Sequence, residues 1–241
     1  MMVTKVPLTR EGQFMSRVNV RGVIGTLAEK PWETGGFAPK TCHRSAGAVG
    51  LWVTLAVISS LFVLFMLSAI MRSQSPDWAP LTEQPWQPLF ELRPLWINTC
   101  SLLASSAVLQ LANEFPSQHR QSAVQLVLLA AALTLALAFM VGQWQVWQGF
   151  ADAGFGIRSG PSAGFYFLLT GLHALHLLVA IGVCCWLLPS LWGGLNTLRL
   201  KLLTRYWHYL FLLWCVLFAL ISCPPATYKL LAALCGIEVS E

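Results

Sequence analysis

The sequence predicts an all-α integral membrane protein with five transmembrane helices, and three observations carry that reading. Of 241 residues, 56% are hydrophobic and 10% charged, where a soluble domain carries roughly a quarter charged. Five apolar stretches reach the length, about 20 residues, that a helix needs to cross a hydrocarbon core about 30 Å thick. Ionisable groups are scarce inside those stretches. This composition excludes an ordinary water-soluble enzyme, a disordered chain and a nucleic-acid binder. The net charge of +5 reflects where the basic residues sit more than any anionic partner.

Residues 1–48 hold no apolar run long enough for a signal peptide and carry turn residues such as Glu33-Thr34-Gly35-Gly36, so they read as a cytoplasmic arm. A mitochondrial presequence is the rival reading, opposed by the acidic Glu11, Glu29 and Glu33. The first span is 50–71. The second, 94–112, is semi-polar through Asn98, Thr99, Ser101, Ser105, Ser106 and Gln110, so it should face protein rather than lipid. The third, 123–147, is the clearest, because residues 126–141 contain no charge. The fourth is 163–188 and the fifth 206–223, leaving 49–223 as the membrane domain and 224–241 as a tail. The long connection 72–93 carries Pro76, Pro80, Pro85, Pro88, Trp78 and Trp86, which suits a semi-rigid lid at the interface.

Basic residues set the orientation, because loops rich in Lys and Arg stay on the cytoplasmic side. The arm, Arg120 and the cluster Arg199, Lys201 and Arg205 fall on one side. Only Arg72, Arg93, Arg158 and Lys229 fall on the other. The N-terminus is therefore expected in the cytoplasm and the C-terminus outside. The seven cysteines, Cys42, Cys100, Cys184, Cys185, Cys215, Cys223 and Cys235, form no CxxC pair and read mainly as small hydrophobes. The spans show no internal repeat and no broken helix of the transporter kind, and they lack the carboxylates or cations of a pump or channel.

The residues most able to carry chemistry are His173 and His176 in the fourth span and His208 at the start of the fifth. Histidines at i and i+3 share a helix face, and an imidazole in the membrane needs a hydrogen-bond partner. Structural, hydrogen-bonded histidines are the favoured reading. Haem ligation by His173 or His176 with His208 is the rival, disfavoured by the different depths of His176 and His208, and no carboxylate completes a copper or zinc site.

Four blocks of sequence resemble subunit III of the haem-copper oxidases. Residues 164–176 read Gly-Phe-Tyr-Phe-Leu-Leu-Thr-Gly-Leu-His-Ala-Leu-His, similar to that family's aromatic run followed by Thr170-Gly171-x-His-x-x-His. Arg205-Tyr206-Trp207-His208-Tyr209 with Trp214, the Asn98-Thr99 helix with its serines, and Gln143 with Trp147 match in order and spacing over residues 48–223. The resemblance implies a five-helix form of the subunit that binds neither haem nor copper. Those cofactors then reside in partner subunits. It also implies packing against subunit I beside subunit II, a lipid-holding cleft, bound phospholipid, support of proton uptake and stability during oxygen reduction, and a bacterial plasma-membrane location. No residue is expected to be catalytic. Asn98-Thr99 leans toward a cytochrome c oxidase over a quinol oxidase.

On that footing the polar interior is expected to comprise His173, His176, His208, Thr170, Asn98, Ser59 and Ser60. Arg199, Lys201, Arg205, Trp207 and Trp147 are the candidate lipid contacts, the basic ones meeting anionic headgroups. The departures from the family pattern are losses of charge at three positions and a reversal at the fourth, Lys201. Ile58, Phe211, Lys201 and Ser190 stand where family members often carry a carboxylate, an Asp, a Glu and an Arg respectively. With the carboxylates gone, Ser59, Ser60 or backbone carbonyls are the expected partners of the histidines. An accessory protein of nitric oxide reduction, a small b-type cytochrome and a lipid scaffold are the alternatives.

Overall fold

A computed structural model describes residues 42–79, 81–82, 89, 91–114, 122–188 and 197–234. Its elements are α1 (Cys42–Arg72), α2 (Arg93–Glu114), α3 (Ser122–Asp152), α4 (Pro161–Leu187), α5 (Thr197–Ile221) and α6 (Pro225–Leu234). The first five contain spans long and apolar enough to cross a membrane. Helices suit that setting because they satisfy every backbone N–H and C=O internally where no water is present. The spans belong to a compact unit beginning at Ser45. The arm, apart from its last residues, lies outside the described residues, as do Pro80, Pro85, Trp86, Pro88, His119, Arg120 and Ser190.

Alternating direction brings Arg72, Arg93, Asp152, Pro161 and Ile221 to one end of the bundle, here the Arg72 end, and Glu114, Ser122 and Leu187 to the other, the Glu114 end. Two helix boundaries have a clear local cause. Helix α3 stops where Gly154 adopts φ 82, a conformation costly for a residue with a side chain. Phe155 N–H then bonds Phe150 O at 2.8 Å and Gly154 N–H bonds Ala151 O at 3.0 Å, satisfying the last carbonyls. Helix α4 starts at Gly160-Pro161, with no side-chain cap; proline costs nothing at the first position because that N–H has no intrahelical partner.

Helix α2 packs closely on α3 through small residues. Ser101 Oγ donates to Leu135 O at 2.9 Å and Ser105 Oγ to Ala132 O at 2.7 Å, and Ala132 and Ala136 are buried. Small side chains let backbones approach where lipid gives no hydrophobic drive. The semi-polar second span does turn its polar groups inward, with Asn98, Ser105 and Ser106 all buried. Helix α1 is set further off. No Cα of it comes within 8 Å of another helix among the described residues, and it meets the bundle through side chains such as Ile58 and Phe62, which cluster with Leu169, Leu213 and Leu217.

Three sequence expectations change. The fifth helix begins at Thr197 instead of 206, because Leu200 and Leu203 bury their side chains while Arg199, Lys201 and Arg205 extend from the exposed face of the same turns, as long basic side chains at a span end do. The tail contains helix α6, pinned where Tyr228 Oη donates to Leu220 O at 2.8 Å. Helix α1 extends back to Cys42, ahead of the expected boundary at 49.

Candidate functional site

Buried indoles organise the interior. A Trp N–H is donor-only and needs an acceptor when it leaves water. Trp207 Nε1 donates to Ser105 Oγ at 3.1 Å, Trp214 Nε1 to Thr99 Oγ1 at 3.0 Å, and Trp147 Nε1 to Thr170 Oγ1 at 3.2 Å. Each hydroxyl passes its own proton to a carbonyl, Ala132 O, Leu95 O and Tyr166 O respectively. Three indole–hydroxyl–carbonyl relays thus tie α5 to α2 and α3, and α3 to α4. Trp207 and Trp214 are fully buried. Trp207 is therefore not a lipid contact, since its ring fills the helix interface where the sequence reading placed it toward lipid.

The three histidines have three different surroundings. His208 lies about halfway along α5. Its Nδ1 meets Ser106 Oγ and its Nε2 meets Gln110 Oε1 at 3.0 Å, while Gln110 Nε2 donates to Glu114 Oε1 at 3.0 Å. The geometry fits a neutral ring that donates from Nε2 to the Gln110 carbonyl and accepts the Ser106 proton at Nδ1, an assignment made from the network. The polar chain runs along α2 from the buried Ser106 through Gln110 to the exposed Glu114, about 12 Å at 1.5 Å per residue.

His176 bonds Leu172 O through Nδ1 at 2.7 Å and packs its ring against Phe62 of α1, centroids 5.7 Å apart. His173 is fully buried between Phe139 and Trp214, with ring centroids at 6.0 and 5.3 Å, and neither of its nitrogens has a hydrogen bond among the described residues. The depth argument against a paired-histidine haem does not survive, because the early start of α5 puts His208 as deep as His176. Orientation replaces it: His208 engages α2, and His176 engages its own helix and α1. Among the described residues no group of three His, Cys, Asp or Glu side chains gathers as a metal site.

Ser59 and Ser60 do not partner the histidines. Ser59 Oγ pairs with Tyr209 Oη at 2.8 Å, joining α1 to α5, and Ser60 Oγ bonds back to Ala56 O at 2.9 Å. Sequence reading missed Ser106 and Gln110 as the partners of His208. The signal was present in the polar stripe of the second span, but only folding brings residues 98 and 102 positions apart together. Ile58, where the family often has a carboxylate, is 6% exposed within the α1 cluster, and Phe211 packs against the main core.

Asn98 Nδ2 donates to Gln143 Oε1 at 3.4 Å, and Gln143 Nε2 donates to Tyr166 Oη at 3.2 Å. This chain crosses α2, α3 and α4 near the Arg72 end. At the Glu114 end, Arg199 lies 5.5 Å over the Trp186 ring and lines a groove of about 420 Å³ with Gly47, Leu51, Val183 and Tyr206. Lys201 and Arg205 are exposed on other sides of the same turns. Trp147 lies toward the opposite end of the bundle, so the five candidate lipid contacts do not form one site.

The family model described as "Cytochrome c oxidase subunit III" matches residues 47–223, which include all five spans. Among curated proteins, the chain is 25% identical over 191 residues to a "Probable quinol oxidase subunit 3" of Staphylococcus haemolyticus (strain JCSC1435), covering 77% of this chain and 92% of the relative. It is 25% identical over 193 residues to the protein of the same description from Staphylococcus aureus (strain USA300), with the same coverage. The chain belongs to the cytochrome c oxidase subunit III family. It is accordingly part of a respiratory oxidase complex.

Proposed function

We propose that this chain is the non-catalytic subunit III of a haem-copper terminal oxidase in a bacterial plasma membrane, seated against subunit I beside subunit II, with haem and copper held by those partners. The observation that carries the reading is the family match across all five spans. The excess of basic residues toward the Glu114 end favours placing that end in the cytoplasm. The description of the relatives as quinol oxidase subunits favours a quinol as electron donor, against the lean of Asn98-Thr99 toward cytochrome c.

Support of proton uptake rests on the chain from Glu114 through Gln110 to His208. A carboxylate at the helix end and an imidazole in the bundle are the titratable groups. Gln110 orients both and carries no proton itself. Phospholipid binding at the cytoplasmic side rests on the groove beside Arg199, where apolar walls meet a cation.

The test is a mild-detergent purification of the tagged full chain, with a haem spectrum and oxygen consumption driven by a quinol or by reduced cytochrome c. A haem-copper subunit is expected to co-purify, with haem tracking that partner. Haem tracking this chain alone would overturn the assignment. In the purified complex, His208→Leu and Glu114→Gln are expected to slow proton uptake, and unchanged uptake in both removes the proton-uptake role.

A further inference from the structure

At the Arg72 end a cavity of about 310 Å³ lies between the ends of α1, α4 and α5, beside α6. Aromatic rings make up much of its wall. Trp78, in the connection after α1, packs on Phe165 of α4 and on Tyr228 of α6, with ring centroids 6.3 and 6.1 Å apart. Tyr228 is tied down by its hydrogen bond to Leu220 O at 2.8 Å. Tyr166, also in the wall, is stacked on Phe150 with centroids 4.3 Å apart and planes 5° from parallel. Rings held in this way favour a flat aromatic guest, because ring contacts add to the gain from the area they bury.

The polar groups of the lining are mostly neutral. Gln74 Nε2 donates to Ser73 Oγ at 2.9 Å, and Ser73 Oγ donates to Ile70 O at 2.7 Å. The Gln74 carboxamide is thereby anchored to the end of α1 while keeping a second N–H and a carbonyl to offer. Such a group can donate to a ring carbonyl or accept from a ring hydroxyl, so it suits both redox forms of a quinone. The one charged residue among the described lining residues, Lys229, is exposed, and an ion inside would have no enclosed counter-charge. The floor is apolar, formed by Ala69 of α1, Leu169 of α4 and Leu220 of α5. No Cα of α1 comes within 8 Å of another helix among the described residues, so the gap between α1 and the bundle gives a hydrocarbon chain a way out to the bilayer. Apolar and aromatic walls with a few placed polar groups are the usual make-up of a small-molecule site.

We propose that this cavity binds a quinone or quinol, with Gln74 hydrogen-bonded to a ring oxygen, the ring beneath Trp78 and Tyr228, and the apolar chain leaving between α1 and the bundle. The proposal rests on the quinol reading of the electron donor and gives that substrate a place on this chain itself. The test is photolabelling of the purified oxidase complex with an azido-benzoquinone carrying a decyl chain, followed by mass spectrometry of the peptides of this chain. Label is expected at or beside Trp78 and Tyr228, displaced by decylubiquinone and not by dioleoyl phosphatidylglycerol. Gln74→Leu and Trp78→Ala are each expected to weaken labelling about tenfold, while Lys201→Gln at the other end leaves it unchanged. Both substituted residues lie outside the spans, and retention of the haem-bearing partner checks that the variants are folded. Equal labelling in both variants, displacement by phosphatidylglycerol, or no label on this chain while quinol still drives oxygen consumption overturns the site and leaves the donor reading standing. Oxygen consumption with reduced cytochrome c and none with quinol overturns the donor reading, and this proposal with it.

Discussion

Trp207 Nε1 donates to Ser105 Oγ across 3.1 Å, and Ser105 hands its own proton to Ala132 O at 2.7 Å, so one hydroxyl joins three helices. All three residues are buried. Ser105→Ala leaves an indole N–H without an acceptor in a water-free interface and removes a link between α2 and α3. The expected loss is about 1–3 kcal/mol, measured as a shift in the unfolding midpoint of the purified chain in a denaturing-detergent titration. Ser60→Ala, which removes only a bond back to Ala56 O on an exposed face, should move the midpoint far less. Equal shifts would refute the relay.

Gly142 makes room for Asn98. A Cβ built at Gly142 would collide with Asn98 Oδ1 and stand 3.0 Å from its Cγ, so Gly142→Ala must turn the Asn98 amide away from Gln143. Overpacking of this kind costs about 1–3 kcal/mol. The cost should largely vanish in an Asn98→Ala background, because the colliding atoms are then gone. A double-mutant cycle on chain stability reads that coupling directly, and strict additivity would show that the collision is relieved elsewhere.

Membrane class, the number of spans and the inward face of α2 were legible because each depends on local composition and period. The start of α5 was not. Arg199, Lys201 and Arg205 depress hydropathy over that turn, although Leu200 and Leu203 bury themselves on its other face. Averaging over a window cannot distinguish a basic loop from an amphipathic first turn. The site was half legible: His173, His176 and His208 stand out as rare polar groups in apolar runs. The partners of His208 did not, since Ser106 and Gln110 are about 100 residues from it and nothing local pairs them, whereas His176 bonds a backbone carbonyl, Leu172 O, one of the partners the sequence allowed.

The connection after α1 contributes Asp77 to a pH-sensitive contact with Arg72, the last residue of the first span. Arg72 Nη1 donates to Asp77 Oδ1 at 2.7 Å, and Nη2 pairs with Oδ2. The hydrogen bonds from Arg72, reinforced by its charge, hold the Asp77 carboxyl below the usual carboxylate range. A depressed carboxyl stabilises the fold above its unfolded-state value, and that contribution is lost as pH falls through the lower folded-state value. Wild type and Asp77→Asn should therefore differ in unfolding midpoint at neutral pH and converge in acid. Curves that stay parallel throughout would exclude the ion pair as the cause. High salt should narrow the neutral-pH gap, because both groups are exposed to solvent.

His173 and His208 offer opposite outcomes from the same substitution. His208 is held by Ser106 and Gln110, so His208→Leu strands a buried hydroxyl and a carboxamide and should cost about 1–3 kcal/mol. His173 is enclosed by Phe139 and Trp214 with no hydrogen bond to either nitrogen. Replacing it with Leu removes polar atoms that gain nothing from their surroundings and leaves no partner behind. His173→Leu is therefore expected to be neutral or stabilising, the change in shape costing less than about 1.5 kcal/mol. Unfolding midpoints of the two variants in the same detergent decide the matter. A loss for His173→Leu as large as that for His208→Leu would mean that His173 has a polar partner in the folded protein, and would move it from the packing core to the polar interior.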